Sequence, residues 1–254
     1  MGARAVIRAA VRDEWDGLER ITRDLRPADF VTSLNALAGI GVMLAAVEGH
    51  LRPAFGLLLV GVILDGLDGL VSRAGGGGGP LGGTLDSLAD TVTFVAAPAV
   101  VVATSLAFGG GAGTAAAVLG AAGFYVLAGL LRLARFESLR ETKPRRYFSG
   151  LSSPGAALTL VAVLFIGAPT PVVLATAALL GLLMVTRLRY PKLRGALGAL
   201  AGLVILLVLA TWSVPDWQRL AVWLMLGFMG LYVVAGPFYV LLRIGPMPDP
   251  RGAA

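Results

Sequence analysis

Eight hydrophobic stretches, separated by short polar segments, dominate the chain. They cover residues 30–48, 54–71, 85–108, 112–131, 154–166, 171–185, 197–212 and 220–242. A helix needs about 20 mostly apolar residues to cross a bilayer, so the pattern predicts an all-α integral membrane protein with about eight transmembrane helices. The fifth and sixth stretches are short and meet at a tight turn (167–171), so a re-entrant hairpin is the alternative there.

The composition favours a membrane protein over the soluble classes. Of 254 residues, 57% are hydrophobic and 14% are charged, against about 25% charged in soluble chains, and the mean hydropathy is +0.82. These values exclude a disordered chain and a basic nucleic-acid-binding domain, so we expect no nucleic acid partner despite a net charge of +6. Without cysteine, and with His50 as the single histidine, the chemistry must rest on Asp, Glu, Ser, Arg and Lys.

The basic residues fall mainly on one side of the predicted spans. Nineteen of the 21 Lys and Arg residues precede the first span, follow an even-numbered span or lie in the tail, whereas Arg52 and Arg219 lie on the other side. Cytoplasmic loops carry the excess of Lys and Arg in membrane proteins. We therefore expect a multi-pass protein of the cell membrane with both termini in the cytoplasm.

The first 27 residues alternate arginines with apolar residues at helical spacing. This pattern predicts a cytoplasmic, interfacial amphipathic helix over residues 1–27 that lies along anionic lipid headgroups. A partly ordered soluble tail is the alternative. The chain then divides into this helix, a transmembrane domain over residues 28–243 and a cytoplasmic tail over residues 244–254.

Four aspartates lie where a membrane disfavours charge. Asp65 and Asp68 are at the end of the second hydrophobic stretch, and Asp86 and Asp90 are at the start of the third. An uncompensated Asp costs about 2.5–3.5 kcal/mol at the centre of a transmembrane helix and less near its ends. Neither stretch contains Lys or Arg, and Arg73 alone cannot neutralise four carboxylates. A bound cation would offset the cost.

The spacing of these aspartates supports a shared cation site. Pairs at i, i+3 and i, i+4 each lie on one helical face, and the glycine-rich segment 75–80 allows the two helices to run antiparallel. We therefore expect all four carboxylates to converge near the cytoplasmic interface. Oxygen ligands suit Mg²⁺, Mn²⁺ or Ca²⁺ rather than zinc, and two such ions assist displacement at phosphorus. Helix-capping aspartates and the cation pathway of a transporter are the alternatives.

Residues 65–90 also carry a motif that resembles that of the CDP-alcohol phosphotransferases. The motif reads D-x2-D-G-x2-S-R-x8-G-x3-D-x3-D, and its fixed members are Asp65, Asp68, Gly69, Ser72, Arg73, Gly82, Asp86 and Asp90. It departs from the family only at Ser72, where Ala is usual. The resemblance implies a six-helix core, here with extra C-terminal helices, in a homodimer. It also implies a CDP-linked lipid donor and two Mg²⁺ or Mn²⁺ ions.

Three further segments resemble the phosphatidylserine synthase branch of that family: residues 29–39, 131–136 and 148–157. In the last segment Ser152 replaces a usual proline, and Glu137 follows the second where Asn is common. This resemblance implies transfer of a phosphatidyl group from CDP-diacylglycerol, or an ether-lipid analogue, to the hydroxyl of L-serine, with release of CMP. The alternatives are another acceptor, such as inositol phosphate or glycerol phosphate, and, in a different class, a membrane cation transporter.

The resemblance implies roles for individual residues. The four aspartates would hold the metal ions, and Asp90 would also act as the general base. Donor-binding residues would be Gly69, Ser72, Arg73, Gly82, Thr32 and Asn35. Thr32 and Asn35 would contact the cytidine or ribose, or else form hydrogen bonds between helices. Arg132 and Arg135 would bind the acceptor, because a guanidinium group suits a carboxylate or a phosphate equally, or else would contact lipid headgroups.

Overall fold

The computed structural model describes residues 25–74, 81–107, 111–138, 147–191 and 195–244. These residues form eight helices. They are α1 (Pro27–Val47), α2 (Leu51–Ala74), α3 (Gly82–Leu106), α4 (Ala112–Ser138), α5 (Ser153–Phe165), α6 (Thr170–Val185), α7 (Ala196–Ala210) and α8 (Pro215–Ile244). Each predicted stretch coincides with one helix, and the prediction of an all-α membrane protein is confirmed. Most of the predicted interfacial helix and tail lies outside the described residues.

The helices fall into two length classes. Helices α1–α4 and α8 are long and apolar enough to cross a membrane. Helices α5, α6 and α7 have 13, 16 and 15 residues, or about 20–24 Å at 1.5 Å per residue, which is shorter than a hydrocarbon core of about 30 Å. Helices α5 and α6 are joined by a tight turn at Gly167, whose φ is +80°. They form a short helical hairpin. This arrangement is compatible both with two short transmembrane helices and with a re-entrant hairpin.

A small antiparallel ribbon, which the hydropathy pattern did not predict, joins two loops of the helical bundle. Strand β1 (Tyr147–Ser149) pairs with strand β2 (Arg189–Pro191). Gly150 follows β1 with a φ of +84° and donates its N–H to the carbonyl of Leu188 at 2.7 Å. A Cβ at this position would collide with the carbonyl oxygen of Met184. Only glycine fits here, and the ribbon fixes the start of α5 against the end of α6.

Small residues let α1, α2 and α3 approach closely. A Cβ on Gly39 of α1 would lie 2.7 Å from the Cα of Thr93 in α3. A Cβ on Gly61 of α2 would lie 2.7 Å from the Cγ2 of the same threonine. The Thr93 hydroxyl donates to the backbone carbonyl of Asn35 at 2.8 Å. This close packing fixes the relative positions of the carboxylates that α2 and α3 carry.

Helix α3 contains a π-helical turn, Thr91–Ala96, that starts directly after Asp90. The buried Tyr125 hydroxyl of α4 donates to the carbonyl of Phe94 in this turn at 3.0 Å. Single π turns inside α-helices occur often at functional sites, because they change the direction of the residues on either side. Here the turn separates the aspartate-bearing start of α3 from its packed second half.

Candidate active site

Three carboxylates from two helices meet at one point. Asp65 and Asp68 lie one turn apart on α2, and Asp86 lies in the second turn of α3. One oxygen from each lies within 4.8 Å of the other two. The two helices thus bring together three of the four aspartates that the sequence motif singles out.

Asp90, the fourth aspartate, differs from the other three. It lies one turn beyond Asp86 and is not part of the group of three, but it interacts electrostatically with Asp65, Asp86 and Arg132. Its Oδ1 atom is buried and has no hydrogen-bond partner among the described residues. Asp90 therefore presents an unsatisfied acceptor atom beside the cluster.

Helix α1 supports the cluster from behind. The buried Thr32 hydroxyl donates to Oδ2 of Asp68 at 2.8 Å, and it also lies 3.0 Å from the carbonyl of Ala28. The Asn35 side chain is fully buried, and its amide has no hydrogen-bond partner in the described parts of the chain. Thr32 therefore forms the bond between helices that was the alternative to nucleotide contact.

Asp29 is a buried acid that lies outside the aspartate motif of residues 65–90. It is 2% exposed, and its Oδ2 accepts the backbone N–H of Arg26 at 2.8 Å, which caps α1. A Cβ on Gly82 would lie 2.9 Å from its Oδ1. The signal was present in the sequence, because a proline at the first helical position and an acid at the third mark a helix start.

A cavity of about 780 Å³ opens beside the carboxylates, within the 300–1,000 Å³ range of ligand sites. Its charged lining residues are Asp65, Arg73, Asp86, Asp90 and Arg132. Apolar residues of α2 and α7 form another part of the wall. The cavity therefore offers both a charged region and an apolar surface to one ligand.

The remaining motif residues shape the ends of the two helices. A Cβ on Gly69 would lie 3.3 Å from Nη1 of Arg73, so this glycine leaves room for the arginine side chain. Arg73 is exposed and lines the cavity, whereas Gly69 and Ser72 are half-buried and lie outside its lining. Gly82 allows the first turn of α3 to pack against Asp29.

The cluster fits a divalent cation. Its grouped ligand atoms are carboxylate oxygens, which hard cations such as Mg²⁺ and Mn²⁺ prefer. The Thr32 hydroxyl orients Asp68 in the way that outer hydrogen bonds commonly orient metal ligands. The donor set and its support therefore agree with the predicted kind of cofactor.

Comparison with known proteins identifies the family. Residues 25–235 match the CDP-alcohol phosphatidyltransferase family. The chain belongs to this family. The match covers all eight helices at least in part, and it includes the carboxylates and the cavity.

Curated relatives of this family member include bacterial and archaeal enzymes. The chain is 36% identical over 139 residues to the CDP-diacylglycerol–serine O-phosphatidyltransferase of Mycobacterium leprae, covering 53% of this chain and 45% of that protein. It is 32% identical over 190 residues to the enzyme of the same name from Helicobacter pylori strain 26695, covering 71% and 76%. It is 31% identical over 189 residues to the archaetidylserine synthase of Methanothermobacter thermautotrophicus, covering 70% and 74%. The chain thus spans less than half of the first relative and about three quarters of the others.

The two predicted acceptor arginines of this family member have different surroundings. Arg132 is 6% exposed, lines the cavity and donates from Nη1 to the Ser153 hydroxyl at 2.6 Å. Arg135 lies outside the cavity lining. Its guanidinium group donates to the backbone carbonyls of Ser149, Met184, Val185 and Thr186. Arg135 therefore ties β1 to the end of α6.

Two further cavity residues were not predicted. Ser152 precedes α5, and Tyr232 comes from α8; both line the cavity and are less than a tenth exposed. The Tyr232 hydroxyl donates to the carbonyl of Pro191 at 3.0 Å, and its ring centroid lies 5.5 Å from that of Tyr190. Tyr232 is one of two tyrosines in the apolar helix α8 and gave no sequence signal, because interfacial anchors look the same.

Proposed function

We propose that this family member transfers a phosphatidyl group, or its ether-lipid counterpart, from a CDP-linked lipid to the hydroxyl of L-serine. The names of the curated relatives support the serine acceptor. The observation that carries the proposal is a single cavity lined by acidic residues of both motif helices and by the buried Arg132. In this cavity, the acidic residues would hold cations that bind a diphosphate, and Arg132 would provide a positive charge for the carboxylate of an amino acid.

We propose Asp65, Asp68, Asp86 and, through one oxygen, Asp90 as the residues that hold Mg²⁺ or Mn²⁺, with two ions as the expected number. When bound, divalent cations neutralise the charge of a diphosphate and of the leaving phosphate oxygen. Thr32 keeps Asp68 in place through its hydrogen bond. The ligand oxygens of Asp65, Asp68 and Asp86 lie within 4.8 Å of one another. Without a bound cation, these negative charges would repel one another.

Asp90 is the proposed general base. Its buried Oδ1 has no partner among the described residues and would accept the proton of the serine hydroxyl. The serine oxygen then forms a bond to the phosphorus that carries the lipid, and the bond from that phosphorus to the CMP oxygen breaks. The proton remains on Asp90 until it passes to solvent, and CMP leaves with the electron pair of the broken bond.

Arg132 is the proposed binding residue for the serine carboxylate. Its burial removes competing water, and the hydrogen bond to Ser153 fixes the direction of the guanidinium group. A buried, oriented guanidinium binds a carboxylate more strongly than an exposed one. Arg135 is occupied with backbone carbonyls, so we assign it to positioning the loop that follows α4.

For the donor, we propose Arg73 as a contact to the diphosphate, because it is exposed at the cavity wall. Gly69 and Gly82 would allow the nucleotide to approach the two helix ends, and Ser72 would preserve close packing there. Thr32 and Asn35 support the site from α1. We further propose a homodimer in the cell membrane, with the active site near the cytoplasmic face.

The test is an acceptor series. Purified protein in detergent is given CDP-diacylglycerol and Mn²⁺ with L-serine, inositol phosphate or glycerol phosphate in separate reactions, and CMP release is followed. We expect release with L-serine alone. Release with another alcohol but not with serine would overturn the acceptor and keep the chemistry, because Arg132 also suits a phosphate. No CMP release with any acceptor would overturn the proposed transferase activity and favour the alternative hypothesis of a cation transporter.

A further inference from the structure

Helix α4 contacts the π turn of α3 at two consecutive residues. The Tyr125 hydroxyl donates to the carbonyl of Phe94 at 3.0 Å. One turn further along α4, a Cβ on Gly129 would lie 2.7 Å from both Cγ atoms of Val95. From the other side, α1 accepts the hydrogen bond of the Thr93 hydroxyl. The turn is therefore held between α1 and α4.

A proline explains why the carbonyl of Phe94 is open to a side-chain donor. In an α-helix this carbonyl would accept the N–H four residues later, but that residue is Pro98, which has no N–H. The N–H of Ala97 bonds to the carbonyl of Val92, five residues earlier, as in a π-helix. The fully buried Tyr125 hydroxyl thus serves a carbonyl in the interior that lacks its α-helical partner.

The π turn sets the direction of the two aspartates that precede it. Asp86 and Asp90 lie on its N-terminal side, and both line the cavity. A π turn takes up one residue more than an α turn, and successive residues of an α-helix are about 100° apart around the axis. Conversion of the turn to α-helix would therefore rotate both side chains by about 100° relative to the packed second half of α3. They would then no longer face the carboxylates of α2.

We propose that Tyr125 is a positioning residue for the metal site. Its hydrogen bond to Phe94 maintains the π turn, and the π turn directs Asp86 and Asp90 toward the carboxylates of α2. This inference rests on the metal site of the proposed function and not on the identity of the acceptor. Tyr125 lies outside the cavity lining, so its effect passes through the backbone of α3.

The first test removes the hydroxyl and measures metal binding without turnover. Tyr125→Phe keeps the buried ring, and Tyr239→Phe is the matched control, because Tyr239 of α8 is 49% exposed and lies outside the lining. The electron paramagnetic resonance signal of free Mn²⁺ gives the Kd in detergent without substrates. We expect Tyr125→Phe to raise this Kd about tenfold, as loss of outer support for metal ligands does, and the control to bind as the wild type does. An unchanged Kd in Tyr125→Phe, or an equal rise in the control, would overturn the proposal.

The kinetic constants separate this role from an effect on the acceptor. Tyr125 also interacts electrostatically with Arg132, two turns later on α4. If Tyr125 acts on the aspartates, Tyr125→Phe should lower kcat by roughly 10–100-fold, as small displacements of catalytic groups do, and change the KM for serine by less than about threefold. A higher KM for serine with an unchanged kcat would show that Tyr125 acts through Arg132 and would overturn the proposal.

The second test separates positioning from stability. Pro98→Ala restores an N–H four residues after Phe94, so in the double variant Tyr125→Phe/Pro98→Ala an α-helical bond can replace the lost hydroxyl. We expect this variant to recover the unfolding midpoint that Tyr125→Phe loses in detergent, while its Kd for Mn²⁺ stays about tenfold above the wild-type value. Recovery of both would show that Tyr125 only stabilises the protein and would overturn the positioning role.

The positioning role and the proposed function can fail separately, because Mn²⁺ binding needs neither acceptor nor turnover. If the wild type released no CMP with any acceptor but Tyr125→Phe weakened Mn²⁺ binding, the transferase activity would fail and the positioning role would stand. Normal CMP release by the wild type, together with unchanged Mn²⁺ binding in Tyr125→Phe, would refute the positioning role alone. A wild type that bound no Mn²⁺ would refute both.

Discussion

Asp90 is the carboxylate whose surroundings best suit a proton acceptor, because its buried Oδ1 lacks a partner in the described residues. Asp90→Asn keeps the shape of the side chain and removes its basicity. We expect kcat to fall by roughly 10²–10⁴-fold, the usual contribution of a general base, while the KM for CDP-diacylglycerol changes by less than about threefold. Initial rates of CMP release measure both constants.

Glu48→Gln is the control for this change. It removes a carboxylate whose side chain is 70% exposed in the loop between α1 and α2, so both constants should stay at the wild-type values. A variant at Asp90 that keeps more than a tenth of the wild-type kcat would remove this residue from the role of base. If the variant instead required a much higher Mn²⁺ concentration for activity, Asp90 would be chiefly a metal ligand.

Thr32 tests whether support from α1 matters to the metal ligands. Thr32→Val keeps the shape and removes the hydroxyl that donates to Asp68 at 2.8 Å. We expect the Mn²⁺ concentration for half-maximal activity to rise about tenfold, because loss of an outer hydrogen bond typically weakens a metal site 10–100-fold. Titration of activity with Mn²⁺ measures this.

The control is Thr104→Val, since among the described residues Thr104 donates to the carbonyls of Val100 and Val101 in its own helix and to no other group. It should leave the Mn²⁺ requirement unchanged. If Thr32→Val left the Mn²⁺ requirement unchanged and raised the KM for the donor, the sequence-based role of Thr32 in nucleotide contact would be the better one.

At the scale of the elements, the guanidinium group of Arg135 joins the β1–β2 ribbon to the end of α6. Arg135→Gln removes hydrogen bonds to four backbone carbonyls. We expect the free energy of unfolding in detergent to fall by about 2–4 kcal/mol, because bonds from charged donors contribute more than neutral ones and this side chain is partly exposed. Arg135→Lys should recover only part of the loss, since one ammonium cannot reach all four carbonyls.

The exposed Arg219, at the start of α8, provides the control as Arg219→Gln, which should leave stability unchanged. The KM for serine separates the two roles of Arg135. If Arg135→Gln raised the KM for serine and left the free energy of unfolding unchanged, Arg135 would be an acceptor-binding residue.

Two glycines with similar backbone angles allow the cost of a left-handed backbone to be distinguished from the cost of a steric clash at the Cβ. Gly150 and Gly167 have φ values of +84° and +80°, but only at Gly150 would a Cβ collide with a neighbour. We expect Gly167→Ala to cost about 1–2 kcal/mol from the left-handed backbone alone, and Gly150→Ala to cost clearly more. Chemical unfolding in detergent measures both, and equal losses would contradict the steric explanation.

The hydropathy pattern predicted the helices but could not predict the elements between them. A hydrophobic stretch such as 54–71 specifies a helix by its own transfer free energy, and the motif spacing placed Asp65, Asp68 and Asp86 on converging faces. The ribbon, the π turn after Asp90 and the bonds from Arg135 depend on which helices pack side by side. Asp29 had a helix-start signature, whereas Tyr232 joined the cavity only through the packing of α8.

At the scale of the whole molecule, the hydrogen bond from Ser87 to Glu137 is informative about topology. It joins the start of α3 to the end of α4 at 3.0 Å, so the aspartates at the start of α3 and the end of α4 lie at one end of the bundle. The loop between α1 and α2, which contains Glu48, precedes the start of α2 and lies at the other end. The side of the membrane that holds the active site can therefore be determined from residues near these two ends.

Single thiols introduced into the cysteine-free chain report that side. The excess of Lys and Arg after α4 predicts that this end of the helix lies in the cytoplasm, so we expect a membrane-impermeant maleimide to label Glu48→Cys in intact cells. It should label Ser138→Cys, at an exposed position, only after permeabilisation. The opposite pattern would put the carboxylates on the outer face of the membrane and would contradict the predicted orientation.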